Sequence, residues 1–163
     1  MSSTAICYLN NTGVALLQRQ CYEDATQVLS DATRLLRDAL LDEQQDLEEY
    51  APALRFANQA LADASSKPVD KTLQVILPEQ IATEQKVAVR MLRWDESSTC
   101  PVLYNLSLAH QLAGLDEKAF CLYRLCLADL DESSYFGAVL KEKCLWALLN
   151  LAPVLGLWEH CAG

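Results

Sequence analysis

The sequence LNNTGVALLQRQCYEDATQVLSDAT, at positions 9–33, decides the fold, because a related segment, LYNLSLAHQLAGLDEKAFCLYRLCL, occupies positions 103–127. Both segments carry an asparagine and, two residues later, a small residue, which is Gly13 in the first segment and Ser107 in the second. After a short break, each has an alanine four residues before a bulky side chain. Self-similarity of this kind indicates repeated structural units. The sequence therefore predicts an all-α protein built from stacked helical hairpins.

Each segment contains two stretches of helical periodicity on either side of its break. Apolar residues at three- and four-residue intervals predict helices over 4–19, 23–41, 101–113, 116–130 and 135–151. Pro153 is expected to end or kink the last of them. Gly13 falls inside the first helix, where glycine costs about 1 kcal/mol relative to alanine. We expect this cost to be offset by the close approach of another backbone.

The region between the two segments, at about 42–100, has a different composition. Six carboxylates in the twelve residues from Asp38 to Glu49, which overlap its start, predict a solvated helix end that runs into a flexible linker. A helix is predicted over 53–65. The β-branched stretches at 72–77 and 87–92 predict short strands or an extended segment lying along the helices. We therefore interpret residues 1–163 as one helical domain with an acidic linker and an irregular insertion.

Composition narrows the classes of partner. The chain has 163 residues, of which 52% are hydrophobic, and a formal net charge of −9. Nucleic acids and anionic membrane surfaces are bound mainly through lysine and arginine, so neither is expected as a partner. A basic or apolar protein surface fits better. Seven cysteines without a CxxC pair, together with the lack of a signal-peptide pattern, favour the cytoplasm or the nucleus.

The two segments resemble the tetratricopeptide repeat, a helical-hairpin family that stacks into a superhelical solenoid. The matching residues of the second segment are Leu103, Leu106, Ser107, Gly114, Ala119 and Tyr123. Those of the first are Leu9, Gly13, Tyr22, Ala25, Leu29 and Ala32. Thr12 stands where the family has leucine, and Gln20 where it has the turn glycine. A third, partial copy is predicted to start at Asn150-Leu151-Ala152, as the counterpart of Asn105-Leu106-Ser107.

The resemblance implies a non-enzymatic scaffold or adaptor that binds a peptide or helix in a groove formed by the first helix of each hairpin. The implied groove residues are Asn10, Asn11, Val14, Gln18, Tyr104, Asn105, Leu108 and Gln111. Asn11 and Asn105 occupy the position at which the family commonly holds a peptide backbone. The alternative is that they bond only within the stack. No lysine lies in either first helix, so the subclass that binds carboxyl-terminal carboxylates is not favoured.

The sequence offers no recognisable catalytic set, cofactor site or metal site. His110 is expected to be a core or groove residue, because no catalytic partner lies near it in sequence. His160 and Cys161 are too few ligands for a structural zinc site. Two alternatives stay open: a small enzyme or ligand-binding protein that uses residues 70–100 as a lid, and a part of a longer repeat array without a function of its own.

The carboxyl-terminal part of the chain is unusually apolar for the end of a repeat stack. The helix over 135–151 and the segment after it contain Trp146, Leu149 and Trp158. Terminal repeats normally present a polar outer face. We therefore expect an interface here, either with a second copy of this chain or with a partner helix, unless the segment after the helix folds back over it.

Overall fold

A computed structural model of the chain describes residues 2–40, 50–69, 100–128 and 135–156. Within these ranges the protein is all-helical and contains no strand. The helices are α1 (Ser2–Gln18), α2 (Tyr22–Leu40), α3 (Ala51–Ala64), α4 (Cys100–Leu112), α5 (Asp116–Ala128) and α6 (Tyr135–Leu155). The all-α prediction is therefore confirmed. Most of the predicted acidic linker lies outside the described residues. Both predicted strands lie outside them as well.

The turns of the two hairpins, α1–α2 and α4–α5, have the same hydrogen bonds at corresponding positions. In the first turn, the Cys21 amide donates to the Leu16 carbonyl at 2.9 Å, and in the second the Leu115 amide donates to the His110 carbonyl at 2.8 Å. Gln20 has a positive φ of 63°, and the corresponding Gly114 has a φ of 84°. This conformation favours glycine. Gln20 therefore adopts the geometry that the glycine has in the second turn.

The helices stack so that each hairpin contacts the next. Helix α1 packs on α2 and α4 on α5, while α2 and, less extensively, α1 pack on α4. Helix α6 then packs on α5 and α4, in the way that α4 packs on α2 and α1. Two clusters of buried side chains form the core. One lies among α1, α2, α3 and α4, and the other among α4, α5 and α6.

Helix α3 lies on the opposite side of α1 from α4. Tyr8 on α1 donates a hydrogen bond to Asn58 on α3, whereas Asn10 on α1 accepts one from Asn105 on α4. Positions two residues apart are separated by about 200° around a helix, so these bonds leave α1 in nearly opposite directions. The spatial order is thus α3, the first hairpin, the second hairpin and α6. Helix α3 covers one end of the stack although it follows the first hairpin in sequence.

A stripe of small side chains lets α3 pack closely. Its buried residues are Ala53, Ala57, Ala60 and Ala64. The helix predicted over 53–65 is therefore confirmed, beginning slightly earlier, at Ala51. Within the region 42–100, residues 51–64 are thus a packed part of the stack, because their alanine face is covered by α1 and α2.

The end of α6 also differs from the prediction. The helix continues through Pro153 to Leu155 rather than stopping at the predicted residue 151. Gly156 follows with a φ of 68°, which is the left-handed conformation that commonly ends a helix.

Gly13 is required by the packing of α1 on α2. A β-carbon added at this position would lie 2.5 Å from Cγ and 2.6 Å from Cδ2 of Leu29. Leu29 is itself fully buried. The sequence predicted the close approach of a backbone, but the neighbour is a side chain of α2. The position that corresponds to Gly13 in the second hairpin is Ser107, and Tyr123 corresponds to Leu29.

Replacing Gly13 with alanine is expected to destabilise the protein even though alanine is the better helix former. The clash with Leu29 should cost on the order of 1–3 kcal/mol, more than the roughly 1 kcal/mol of helix propensity that alanine contributes. In a Leu29→Ala background the clash disappears, so Gly13→Ala should become stabilising by up to about 1 kcal/mol. Urea unfolding of the four proteins in this cycle measures both effects. The same sign of change in both backgrounds would contradict the assigned contact.

Candidate protein-interaction surfaces

Half of the residues predicted to line a peptide groove are buried between helices. Asn10, Val14 and Asn105 have no exposed surface, and Tyr104 is 6% exposed. Nδ2 of Asn105 donates to Oδ1 of Asn10 at 3.0 Å, which joins α4 to α1. These side chains hold neighbouring hairpins together, and in this structure they do not face an open groove.

The other four predicted groove residues, Asn11, Gln18, Leu108 and Gln111, are half-buried. Oε1 of Gln111 accepts a hydrogen bond from the Tyr123 hydroxyl at 2.8 Å. Oδ1 of Asn11 accepts a long bond of 3.5 Å from Nδ2 of Asn10. The amide groups of Asn10, Asn105 and Gln111 thus bond inside the stack. For Asn105 this is the alternative that was considered from the sequence.

Tyr104 and Tyr123 form the centre of the second core cluster. Their ring centroids are 5.9 Å apart, and the rings are tilted by 58°. Burial, with smaller contributions from the nearby Cys144 and Cys126 thiols, raises the pKa of Tyr104 to about 12. Burial likewise raises the pKa of Tyr123, with smaller contributions from Tyr104 and the same two thiols. Both phenols are therefore held in their neutral form.

A cleft of about 690 Å³ lies where α4, α5 and α6 meet. The residues that line it are Leu106, His110, Glu117, Lys118, Phe120, Cys121, Leu122 and Leu155. Most of these side chains are apolar, and the charges of Glu117 and Lys118 are exposed. A volume of this size suits a few apolar side chains or a small ligand. None of the groove residues predicted from the sequence lines this cleft.

His110 lines this cleft and provides a polar side chain beside its apolar walls. Its Nδ1 lies 2.9 Å from the carbonyl oxygen of Leu106, one helical turn earlier. Because a carbonyl only accepts, Nδ1 carries the proton, and Nε2 of the neutral ring is then a hydrogen-bond acceptor. The ring is half-buried. The prediction that His110 is a core or groove residue agrees with this position.

A second groove, of about 600 Å³, lies between α2 and α3. It is lined by Glu23, Asp24, Gln27, Asp31, Arg34, Pro52, Ala53 and Phe56. Arg34 pairs with Asp31 at 3.2 Å and lies over the ring of Tyr50, with its guanidinium carbon 5.5 Å from the ring centroid. Tyr50 in turn donates to Asp38. These contacts connect α2 to Tyr50, the N-cap residue of α3, so Asp31 and Arg34 of this groove serve the fold.

One face of α6 carries exposed apolar side chains. Leu145 is 43%, Trp146 61%, Leu149 40% and Val154 69% exposed. The opposite face is buried against α5 and α4 through Leu140, Cys144, Leu148, Leu151 and Ala152. Trp146 and Leu149 thus lie on the exposed face on which the sequence predicted an interface. Trp158, the third predicted interface residue, lies outside the residues that the structure describes.

The described residues contain no group of three or more histidine, cysteine or acidic side chains that could hold a metal ion. Cys21, Cys121 and Cys144 are free thiols. No helix in the described part of the chain is long and apolar enough to cross a membrane. Comparisons with protein-family models, curated proteins and solved structures gave no match to this chain.

The buried tyrosines predict a loss of stability at alkaline pH. A phenol with a raised pKa in the folded state stabilises the fold fully below pH 10 and loses that contribution as pH rises to about 12. For Tyr104 the loss should be on the order of 2 kcal/mol. Because phenylalanine does not ionise, Tyr104→Phe should lose less unfolding free energy than the wild type between pH 9 and 12. Urea unfolding across this range measures the difference, and parallel curves would show that Tyr104 ionises freely in the folded protein.

Proposed function

We propose that this chain is a non-enzymatic scaffold, similar in organisation to tetratricopeptide-repeat proteins, that binds a segment of another protein. The observation that carries the proposal is the apolar cleft formed by α4, α5 and α6. Recognition sites for peptides combine apolar pockets for anchor side chains with a few polar groups that fix their orientation. Leu106, Phe120 and Leu155 supply the apolar walls, and His110 supplies the polar group.

The position of the cleft within the stack supports a protein partner. Its walls come from three successive helices, α4, α5 and α6, whose packing fixes their spacing. A ligand segment therefore meets a preformed surface and loses little affinity to ordering of the scaffold. The rim carries one acidic and one basic side chain, Glu117 and Lys118, so it contributes no strong charge preference of its own.

The net charge of −9 adds a long-range preference for basic partners. Such a field increases the rate of encounter with basic segments but contributes little to their orientation. We therefore infer a ligand with an apolar anchor in the cleft, a hydrogen-bond donor directed to His110 and basic residues outside the cleft.

Filling the cleft tests the proposal. Random peptides displayed on phage are selected against the intact chain, and enriched sequences are synthesised with a fluorescent label. Cys121 is an exposed residue of the cleft, so Cys121→Trp should occupy the space of the anchor with little effect on folding. We expect it to raise the Kd of the selected peptides at least about tenfold, equivalent to roughly 1.4 kcal/mol.

The matched control is Leu125→Trp, which places the same ring on α5 at a residue that is 56% exposed and does not line the cleft. It should leave the Kd unchanged, as measured by fluorescence polarisation, while thermal unfolding confirms that both variants are folded. Failure to enrich any peptide with an apolar anchor, or equal binding by Cys121→Trp and the wild type, would overturn the assignment of the cleft.

A further inference from the structure

The two ends of the helical stack differ in how their outer faces are covered. At one end, α3 packs on α1 and α2. At the other end, the outer face of α6 presents Leu145, Trp146 and Leu149, with no described helix packed on it. A row of exposed apolar side chains along one helix usually marks an interface. The internal repeat of this chain indicates which kind of secondary-structure element packs on such a face.

Helix α6 corresponds to α4 by its buried residues. Helix α4 contributes Val102, Leu106 and Ala109 to the cluster that it shares with the preceding hairpin. Helix α6 contributes five residues to the cluster that it shares with α5 and α4: Leu140, Cys144, Leu148, Leu151 and Ala152. Three of them, Cys144, Leu148 and Leu151, repeat the spacing of the α4 set. This register differs by three positions from the one predicted from the sequence, in which Asn150-Leu151-Ala152 matched Asn105-Leu106-Ser107.

The same register identifies the role of the exposed face. The residues of α4 that correspond to Leu145, Trp146, Leu149 and Pro153 are Leu103, Tyr104, Ser107 and Gln111. On α4 this face holds the antiparallel partner helix α5. Tyr104 contacts the ring of Tyr123, and Gln111 accepts the hydrogen bond of its hydroxyl. The exposed face of α6 is therefore the face on which the two preceding hairpins hold their second helix.

We propose that a second copy of this chain fills this position, so that two α6 helices pair across a twofold axis. When the twofold axis is perpendicular to α6, the two paired helices are antiparallel, which is the direction that a hairpin partner has. Each of the two molecules contributes the same apolar row to this contact. The interface is therefore self-complementary. With Leu149 midway between Leu145 and Pro153, the axis passes close to Leu149.

The charge distribution favours pairing through this end of the stack. The chain carries −9 overall, which opposes self-association through its acidic parts. The exposed row from Leu145 to Val154 contains no charged residue, and α6 as a whole has two lysines and one glutamate. Glu23 and Asp24 lie on α2, away from α6 in the stack. Pairing through α6 thus brings together the one described helix of each molecule that has a net positive charge, with two lysines against one glutamate.

Sedimentation equilibrium of the purified chain between about 1 and 100 µM tests the proposal. We expect a concentration-dependent dimer. Trp146→Glu and Leu149→Glu, both on exposed residues, should raise the dimer Kd at least about tenfold. Leu125→Glu, which adds the same charge to an exposed apolar residue of α5, should leave it unchanged.

A geometric readout separates twofold pairing from other association. In the dimer, Leu149→Cys should form a disulfide with the same residue of the second copy under mild oxidation. The control Leu125→Cys should form only as much intermolecular disulfide as the wild type forms through its native thiols. A monomer at all concentrations, equal effects of the charge substitutions at 146, 149 and 125, or no specific cross-link at 149 would overturn the proposal. A monomer that instead binds an amphipathic helix through Trp146 would assign the face to a partner protein.

The test is independent of the proposed peptide cleft. Cys121→Trp should dimerise like the wild type, and Trp146→Glu should bind the selected peptides like the wild type. Loss of both properties in either variant would indicate misfolding, which circular dichroism and thermal unfolding detect directly.

Discussion

The contact between Gly13 and Leu29 sets the distance between α1 and α2, and the rest of the stack depends on that distance. With no side chain on Gly13, Leu29 lies against the backbone of α1 and is fully buried there. The second hairpin achieves the same close packing with side chains of different volume. Ser107 replaces the glycine, and its hydroxyl bonds the Leu103 carbonyl at 2.7 Å. Tyr123 replaces the leucine and extends to Gln111 at the edge of the hairpin. Each pair combines a small residue with a large one, as close packing requires.

The hairpins could be predicted from the sequence because their signals are local. Helical periodicity, the alanine that follows each turn and the position of Gly114 all act within a few residues. Even Gln20, which lacks the expected glycine, adopts a positive φ because the same hydrogen bonds close both turns. The nature of the Gly13 contact was not predictable in the same way. Whether a backbone or a side chain fills the space depends on the rotation of α2 about its own axis.

The interaction surfaces were less predictable because they depend on how helices distant in sequence rotate against one another. Asn10 and Asn105 occupy positions that suit peptide recognition, yet a small rotation brings their amides together and removes both from the surface. The cleft beside His110 requires α6 to lie against α5, which no local pattern specifies. Helix α3 was underestimated because its buried face consists of alanines, whose weak hydrophobic signal is typical of a linker as well as of a closely packed helix.

The position of α3 makes the two ends of the stack different. A stack of hairpins lengthens when a new hairpin is added to an end whose last face is available. At the α1 side that face is occupied by a helix that follows α2 in the chain, so an additional unit there would have to displace a packed element and expose its alanines. At the α6 side a unit could be added without disturbing any described contact. Duplication of this module would therefore be tolerated in one orientation only, and fusion of a folded domain would be least disruptive at positions remote from the α1–α3 contact.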